Sequence, residues 1–328
     1  MVESIDKFAA ENRRKIRNTA GRFVEVNAGA QRNLFFGVSQ VAFLVESSVE
    51  TRDTGDQVVV GNADESKGFG RGTFGDDRGE FTEEPEAVES ETATENGLST
   101  VALLVSGDLN TPVDVVGYGY GDDEADRLDD SLSDRADSLN AVVEVESNVI
   151  DVYGIIPNTV AVGDGFESSV DFGDGSILSR TTAQANISPT EDVRVSVTYT
   201  VEGFGRGASI FPDAGEAAIA ACVAYPSLFG IVSDYSFSDT ENIDESTTTL
   251  PDESFDTQAN TTSESVSLSV EGRVEAGDPP EQFTPGTLRE VSVVTGTDAV
   301  LWSTPTRNFP VDDETAFTVE MSMRFVNG

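Results

Sequence analysis

Histidine is absent, cysteine and tryptophan occur once each, and lysine appears only at Lys7, Lys15 and Lys67. Without histidine the chain lacks the commonest general base, a frequent metal ligand and every Ser-His or Cys-His nucleophile pair. One cysteine, Cys222, excludes an intrachain disulfide and any multi-cysteine metal site, and it reads as a small core residue. The longest apolar run, Ala217 to Val232, is broken by Pro226 and Ser227. It falls short of the roughly 20 residues that a membrane-crossing helix needs. Charged residues from Glu3 to Arg17 have no apolar stretch behind them, so no export signal and no membrane partner are expected.

What is present is acid. Sixty Asp and Glu face 20 Lys and Arg, a formal charge of -40. At low ionic strength such a chain repels itself, but at about 1 M salt the Debye length is about 3 Å and neighbouring surface carboxylates scarcely interact. Seventeen of the basic residues are Arg, which keeps flexible ammonium side chains off the surface. The composition suits a salt-loving host. A hydrophobic share of 38% and 19 Phe argue for a folded chain, not a disordered acidic one. An acidic surface also excludes nucleic acid as a partner of the folded part.

Seven basic residues, Lys7, Arg13, Arg14, Lys15, Arg17, Arg22 and Arg32, cluster near the N-terminus. Ser4 caps an expected helix over 4–18, Ile5, Phe8, Ala9 and Ile16 share a face, and Gly21 ends it. Ile5, Phe8, Arg13, Arg14, Arg17 and Arg22 therefore form a candidate anchor for an acidic partner protein.

No catalytic constellation is visible. Sixty carboxylates supply chance acid/base pairs at nearly every loop, so paired acids carry no information here. Gly119, Gly121, Gly173 and Gly175 precede acids, not a Lys or a helix start, and read as turns; Gly68 to Gly72 reads as a loop. No cofactor is expected. Hard cations (sodium, potassium, magnesium or calcium) have candidate sites at Asp122-Asp123-Glu124, at Asp129-Asp130 and at Asp171 with Asp174. None has the spacing of an EF-hand loop, and solvated carboxylates are the simpler reading.

The fold class read from alternation is mainly β: two tandem β-sandwich domains, Ig-like or jelly-roll-like, with an N-terminal helix. A chain of 328 residues is long for one core. The expected organisation is an anchoring helix over 1–21 and strands plus a long acidic loop over 22–98, followed by sandwich units over 99–203 and 204–328. Strands are expected at Phe23 to Val26, Leu34 to Val38 and Gln40 to Val45. Residues 51–100 read mostly as loop with a short strand at Gln57 to Val60, and Glu80 to Glu95 as too polar to pack.

The two units are linked by pattern. Val116-Gly117-Tyr118-Gly119-Tyr120 is answered by Val232-Ser233-Asp234-Tyr235-Ser236-Phe237, and Val170 to Leu178 by Val291 to Thr297. Tyr118 and Tyr235 lie 117 residues apart, Val170 and Val291 lie 121 apart. Each unit closes with an alternating strand, Val193 to Val201 and Ala316 to Phe325. Pro212 to Val223 is expected to be a short helix seating Cys222 on a sheet, against the rival of a buried strand from Ile219 to Tyr225. The aromatics Tyr118, Tyr120, Tyr235, Phe237 and Trp302 alternate as core residues do.

Asp171-Phe172-Gly173-Asp174-Gly175-Ser176 resembles the DFGDG turn of PKD domains, Ig-like sandwiches of microbial surfaces. Leu288-Arg289-Glu290-Val291-Ser292-Val293-Val294, then Leu301-Trp302-Ser303, then Phe309-Pro310-Val311-Asp312-Asp313 and the strand through Phe325 resemble a pattern of tailed-virus appendage proteins. The pattern's usual Gly is Ser292 here, and its Lys is missing. That resemblance implies a virion protein made in the host cytoplasm and assembled with other virion proteins and with copies of itself, as trimer to hexamer. It implies a tail, baseplate or fibre position, with a capsid turret or decoration as the alternative. A cell-surface adhesin or glycan-binding module touching a host surface is the reading from a different class.

Overall fold

The structure is a computed structural model that describes residues 24–28, 31–53, 87–121, 123–157, 165–184, 191–205, 213–226, 232–238, 248–249, 255–262, 265–274, 286–295, 300–311 and 316–328. The expected N-terminal helix and its anchoring residues Ile5, Phe8, Arg13, Arg14, Arg17 and Arg22 lie outside them, as do Gln57 to Val60, Gly68 to Gly72 and Asp122.

The described chain is mainly β. In order it forms β1 (Val24–Ala28), β2 (Gln31–Asp53), β3 (Ala87–Ala93), α1 (Glu95–Ser106), β4 (Val113–Gly119), β5 (Arg135–Asn140), β6 (Val142–Glu146), β7 (Val149–Ile156), β8 (Phe166–Phe172), β9 (Ile177–Gln184) and β10 (Glu191–Phe204). After these come α2 (Asp213–Ala224), β11 (Val232–Ser238), β12 (Thr248–Thr249), β13 (Phe255–Thr262), β14 (Ser265–Val274), β15 (Gly286–Thr295), β16 (Val300–Val311) and β17 (Ala316–Asn327).

One large sheet runs β13-β14-β17-β2-β10-β7-β6, with β1 added to β2. Two smaller sheets run β3-β9-β8-β4-β5 and β12-β11-β15-β16. The shared order is plain: β5-β4-β8-β9 in one small sheet matches β12-β11-β15-β16 in the other, and β6-β7-β10 matches β13-β14-β17 in the large one. Both halves build into one sheet around β2.

β2 explains the mixed pairing. Its residues 31–43 run parallel to β17 and its residues 40–53 antiparallel to β10, so one strand serves both limbs. The separate strands expected at 34–38 and 40–45 are this single strand, whose pairing with β17 shifts register between Phe35 and Val38.

Alternation makes the core. Val193, Val195, Val197, Tyr199 and Val201 of β10 are buried, as are Phe317, Val319, Met321, Met323 and Phe325 of β17. Each large apolar side chain so buried stabilises by about 1.5–3 kcal/mol. Tyr118 and Trp302 are in the same core. Tyr199 reaches across it, its hydroxyl sharing a hydrogen bond with Ser179 of β9.

Two local expectations are corrected. Residues 87–106 pack: β3 joins β9, and α1 follows at once, capped by Thr94, whose hydroxyl accepts from Gly97 N–H at 3.0 Å. Leu98, Val101, Ala102, Leu104 and Val105 give that helix a buried face, and Gly107, at φ 91°, closes it in the left-handed region. The repeat register also shifts. Gly119 faces Glu167 as Ser238 faces Glu290, so Tyr118 corresponds to Phe237 and Val170 to Val293, two residues on from the sequence pairing. A slip of two keeps every side chain on its face, which is why alternation did not expose it.

The second helix lies over Asp213–Ala224, as propensity indicated, with Cys222 buried. Burial pushes its thiol up to about 12. Since the thiolate is the nucleophile, the folded protein at pH 8 in molar KCl is expected to resist a maleimide that labels the unfolded chain completely. Rapid labelling of folded protein would contradict the burial. Among the described residues, no helix is long and apolar enough to cross a membrane.

Candidate functional site: a buried ion-pair network beneath an acidic loop

The small sheet β3-β9-β8-β4-β5 has one face on the core and one turned away from it. On β8, Phe166, Val170 and Phe172 join the core, so alternation sends Glu167, Ser169 and Asp171 to the outer face. Yet all seven residues of β8 are buried. The cover is the acidic loop 120–134.

Arg180 and Glu167 hold that loop. Their side chains are 3% and 0% exposed, and Arg180 Nη2 meets Glu167 Oε2 at 2.7 Å. Arg180 also donates to Asp129 Oδ2 at 2.7 Å, to the Asp123 carbonyl at 3.1 Å and to Ser133 Oγ at 3.1 Å. Glu167 accepts the N–H groups of Ser133 at 3.0 Å and Asp134 at 2.6 Å, and the Ser133 hydroxyl at 3.0 Å. Two strand residues thus grip both ends of the loop.

Glycine makes room for this. A Cβ on Gly119 would lie 2.2 Å from the Asp134 carbonyl oxygen, and one on Gly121 would lie 2.0 Å from Ser133 Oγ and 2.7 Å from Glu167 Cδ. A Cβ on Gly117 would lie 2.5 Å from Ser169 Oγ. Gly117 and Gly119 are therefore strand residues kept small by what approaches them, and the turn reading of Gly119 is corrected, whereas Gly121 lies beyond β4 at the start of the loop. Gly173 and Gly175 do belong to a turn, the β8–β9 hairpin, where Gly175 has φ 89° and donates to the Phe172 carbonyl.

The proposed cation ligands are dispersed. The Asp129 carboxylate pairs with Arg180, which reaches Asp123 only at its backbone carbonyl, so a guanidinium supplies positive charge to that loop. Asp171 pairs with Arg135 at 2.6 Å, whereas Asp174 accepts from Ser176 N–H and hydroxyl in the hairpin turn. Asp171 and Asp174 serve separate ends of the turn. Among the described residues no group of three or more acidic or thiol ligands converges on one point.

The two buried carboxyls titrate oppositely. Burial alone raises Glu167, but hydrogen bonds from Asp134, Ser133 and Arg180 overcome it and hold the carboxyl below its ordinary range. For Asp171 burial wins over Ser169 and Arg135, and nearby Asp114 adds to it, so that carboxyl is raised. Glu167 therefore contributes stability above its unfolded value of 4.5, lost as pH falls through the lower folded value. Asp171 contributes with the other sign: the fold gains as pH falls through the raised value, and the ion is a cost at neutral pH. Glu167→Gln is expected to lower the melting temperature at pH 7 and flatten the acid limb of stability against pH below about 4.5. Asp171→Asn is expected to leave the melting temperature at pH 7 unchanged or raise it. Equal losses from both would show that the two sites do not differ.

Sequence reasoning missed Arg180, Glu167 and Arg135. A signal existed: Glu167 and Asp171 alternate within a strand whose other residues are apolar or small, and such a pair needs a cation when covered. The second half repeats the position, since Glu290 on β15 is also buried and accepts the Ser303 hydroxyl at 2.7 Å. Comparison with protein-family models, curated proteins and solved structures finds no match.

Proposed function

We propose that the chain is a structural protein of a virus particle, from a tailed virus whose host lives in molar salt, and that it works by assembling with copies of itself and with other virion proteins. The observation that supports this most is the direction of the buried polar network. Arg180, Glu167 and Asp129 are turned inward to fix the chain's own loop, so the best-built polar cluster among the described residues serves shape. The excess of acid suits a surface bathed in concentrated salt. The described parts of the segment that resembles tailed-virus appendage proteins belong to β15, β16 and β17, and Asp312 and Asp313 lie outside the described residues.

The test is immunogold electron microscopy of purified particles from an infected halophile culture, with an antibody against residues 220–328. Gold at the tail tip is the expected result. Gold over the head would move the protein to a turret or decoration, and unlabelled particles beside labelled cells would overturn the virion reading in favour of a host surface protein.

A further inference from the structure

From the way the helices cross between halves, we infer that the chain is two copies of one unit joined as a helix-exchanged pair, each half being the obligate folding partner of the other. Each helix is fastened to the small sheet of its own half. A Cβ on Gly97, third residue of α1, would lie 2.4 Å from the Ile177 carbonyl oxygen and 2.4 Å from Leu178 Cα on β9. A Cβ on Gly215, third residue of α2, would lie 2.4 Å from the Leu301 carbonyl oxygen on β16. Glycine, helix position and strand position all agree, and the Leu178–Leu301 spacing equals the Glu167–Glu290 spacing.

The helices then reach into the opposite half. α1 packs on β13, β14 and β17, and α2 on β6, β7 and β10, each set being the limb of the large sheet that the other unit supplies. The two helices touch one another, so they lie on one face of the large sheet. The limbs themselves run in opposite directions, because β17 is parallel and β10 antiparallel to the shared strand β2. A half-turn about an axis through β2, normal to the sheet, relates the units. Under that arrangement neither half closes its own core: each limb needs a helix from the other chain segment to cover it.

A protease recognition sequence inserted between Gly205 and Asp213 allows the full-length protein to be folded in molar KCl and then cut. Both pieces are expected to elute together at the position of the uncut chain and to melt in one transition. Separation of the pieces in molar KCl, or two independent transitions, would overturn the inference. A second measurement uses the intact chain. Gly97→Val is expected to raise amide exchange in β14, and Gly215→Val in β7, each in the half that does not carry the substitution. Faster exchange confined to the substituted half would mean two self-sufficient units.

Discussion

Replacement of Arg180 with alanine is expected to cost the folded protein about 3–5 kcal/mol, the range for removing one partner of a buried ion pair. The cause is Glu167, which stays sealed beneath the loop with its charge uncompensated. Molar salt will not rescue it, since screening acts on exposed charges far more than on buried ones. Arg127 is the control. It pairs with Glu95 at 3.1 Å but is 60% exposed, and exposed pairs contribute little. Arg127→Ala is therefore expected to fall within about 0.5 kcal/mol of the parent in molar KCl. Converting both partners to apolar residues, Arg180→Met with Glu167→Leu, removes the unpaired charge but leaves the Ser133 and Asp134 N–H groups without their acceptor, so only part of the loss is expected back. Denaturant unfolding of the four proteins in molar KCl decides the matter, and a loss below about 1 kcal/mol for Arg180→Ala would mean that the pair does not hold the loop.

The second large effect is expected at Gly119. Valine there places a methine carbon 2.2 Å from a backbone carbonyl and 2.8 Å from Glu167 Oε1, so the loop must lift away from the sheet. Overpacking of this kind typically costs about 1–3 kcal/mol, and a rigid backbone neighbour puts the cost at the upper end. Lifting the loop also frees the backbone around Arg127, whose carbonyl accepts from the Glu95 N–H, and trypsin is expected to cut there faster than in the parent. An unchanged digestion pattern together with an unchanged melting temperature would show that the glycine is not required for close approach.

Alternation carried much of the fold. The strands through Val193–Val201 and Phe317–Phe325 were readable because every second residue is large and apolar, and α2 was readable from its run of alanines. Helix α1 carried equal signals: Thr94 as cap, Leu98, Val101, Ala102 and Val105 at helical spacing, and Gly107 after the last turn. The acidic run that precedes it drew the boundary at residue 99, inside the helix. Repeat logic would have found it, since a unit whose second copy opens with a helix should open with one in the first. The network was harder. Glu167 and Arg180 are 13 residues apart, and only the β8–β9 hairpin sets them on neighbouring strands. Their cover, loop 120–134, looks like solvated acid because most of its side chains are exposed, and its close approach to the sheet rests on Gly119 and Gly121.

The half-turn between the units bears on the proposed assembly. A ring of three chains passes for a ring of six only when the two halves of each chain point the same way around it. Here the limbs point oppositely, so duplication does not multiply the ring in that manner.

Strand β2 has a mechanical consequence. Twenty-three residues in one extended strand span about 75 Å. Tension applied along it would load its hydrogen bonds to β10 and β17 in shear, on opposite sides and over successive stretches of its length. The strand acts as a tie rod through both halves, and the molecule would yield only when two rows of bonds slide, instead of one row opening bond by bond.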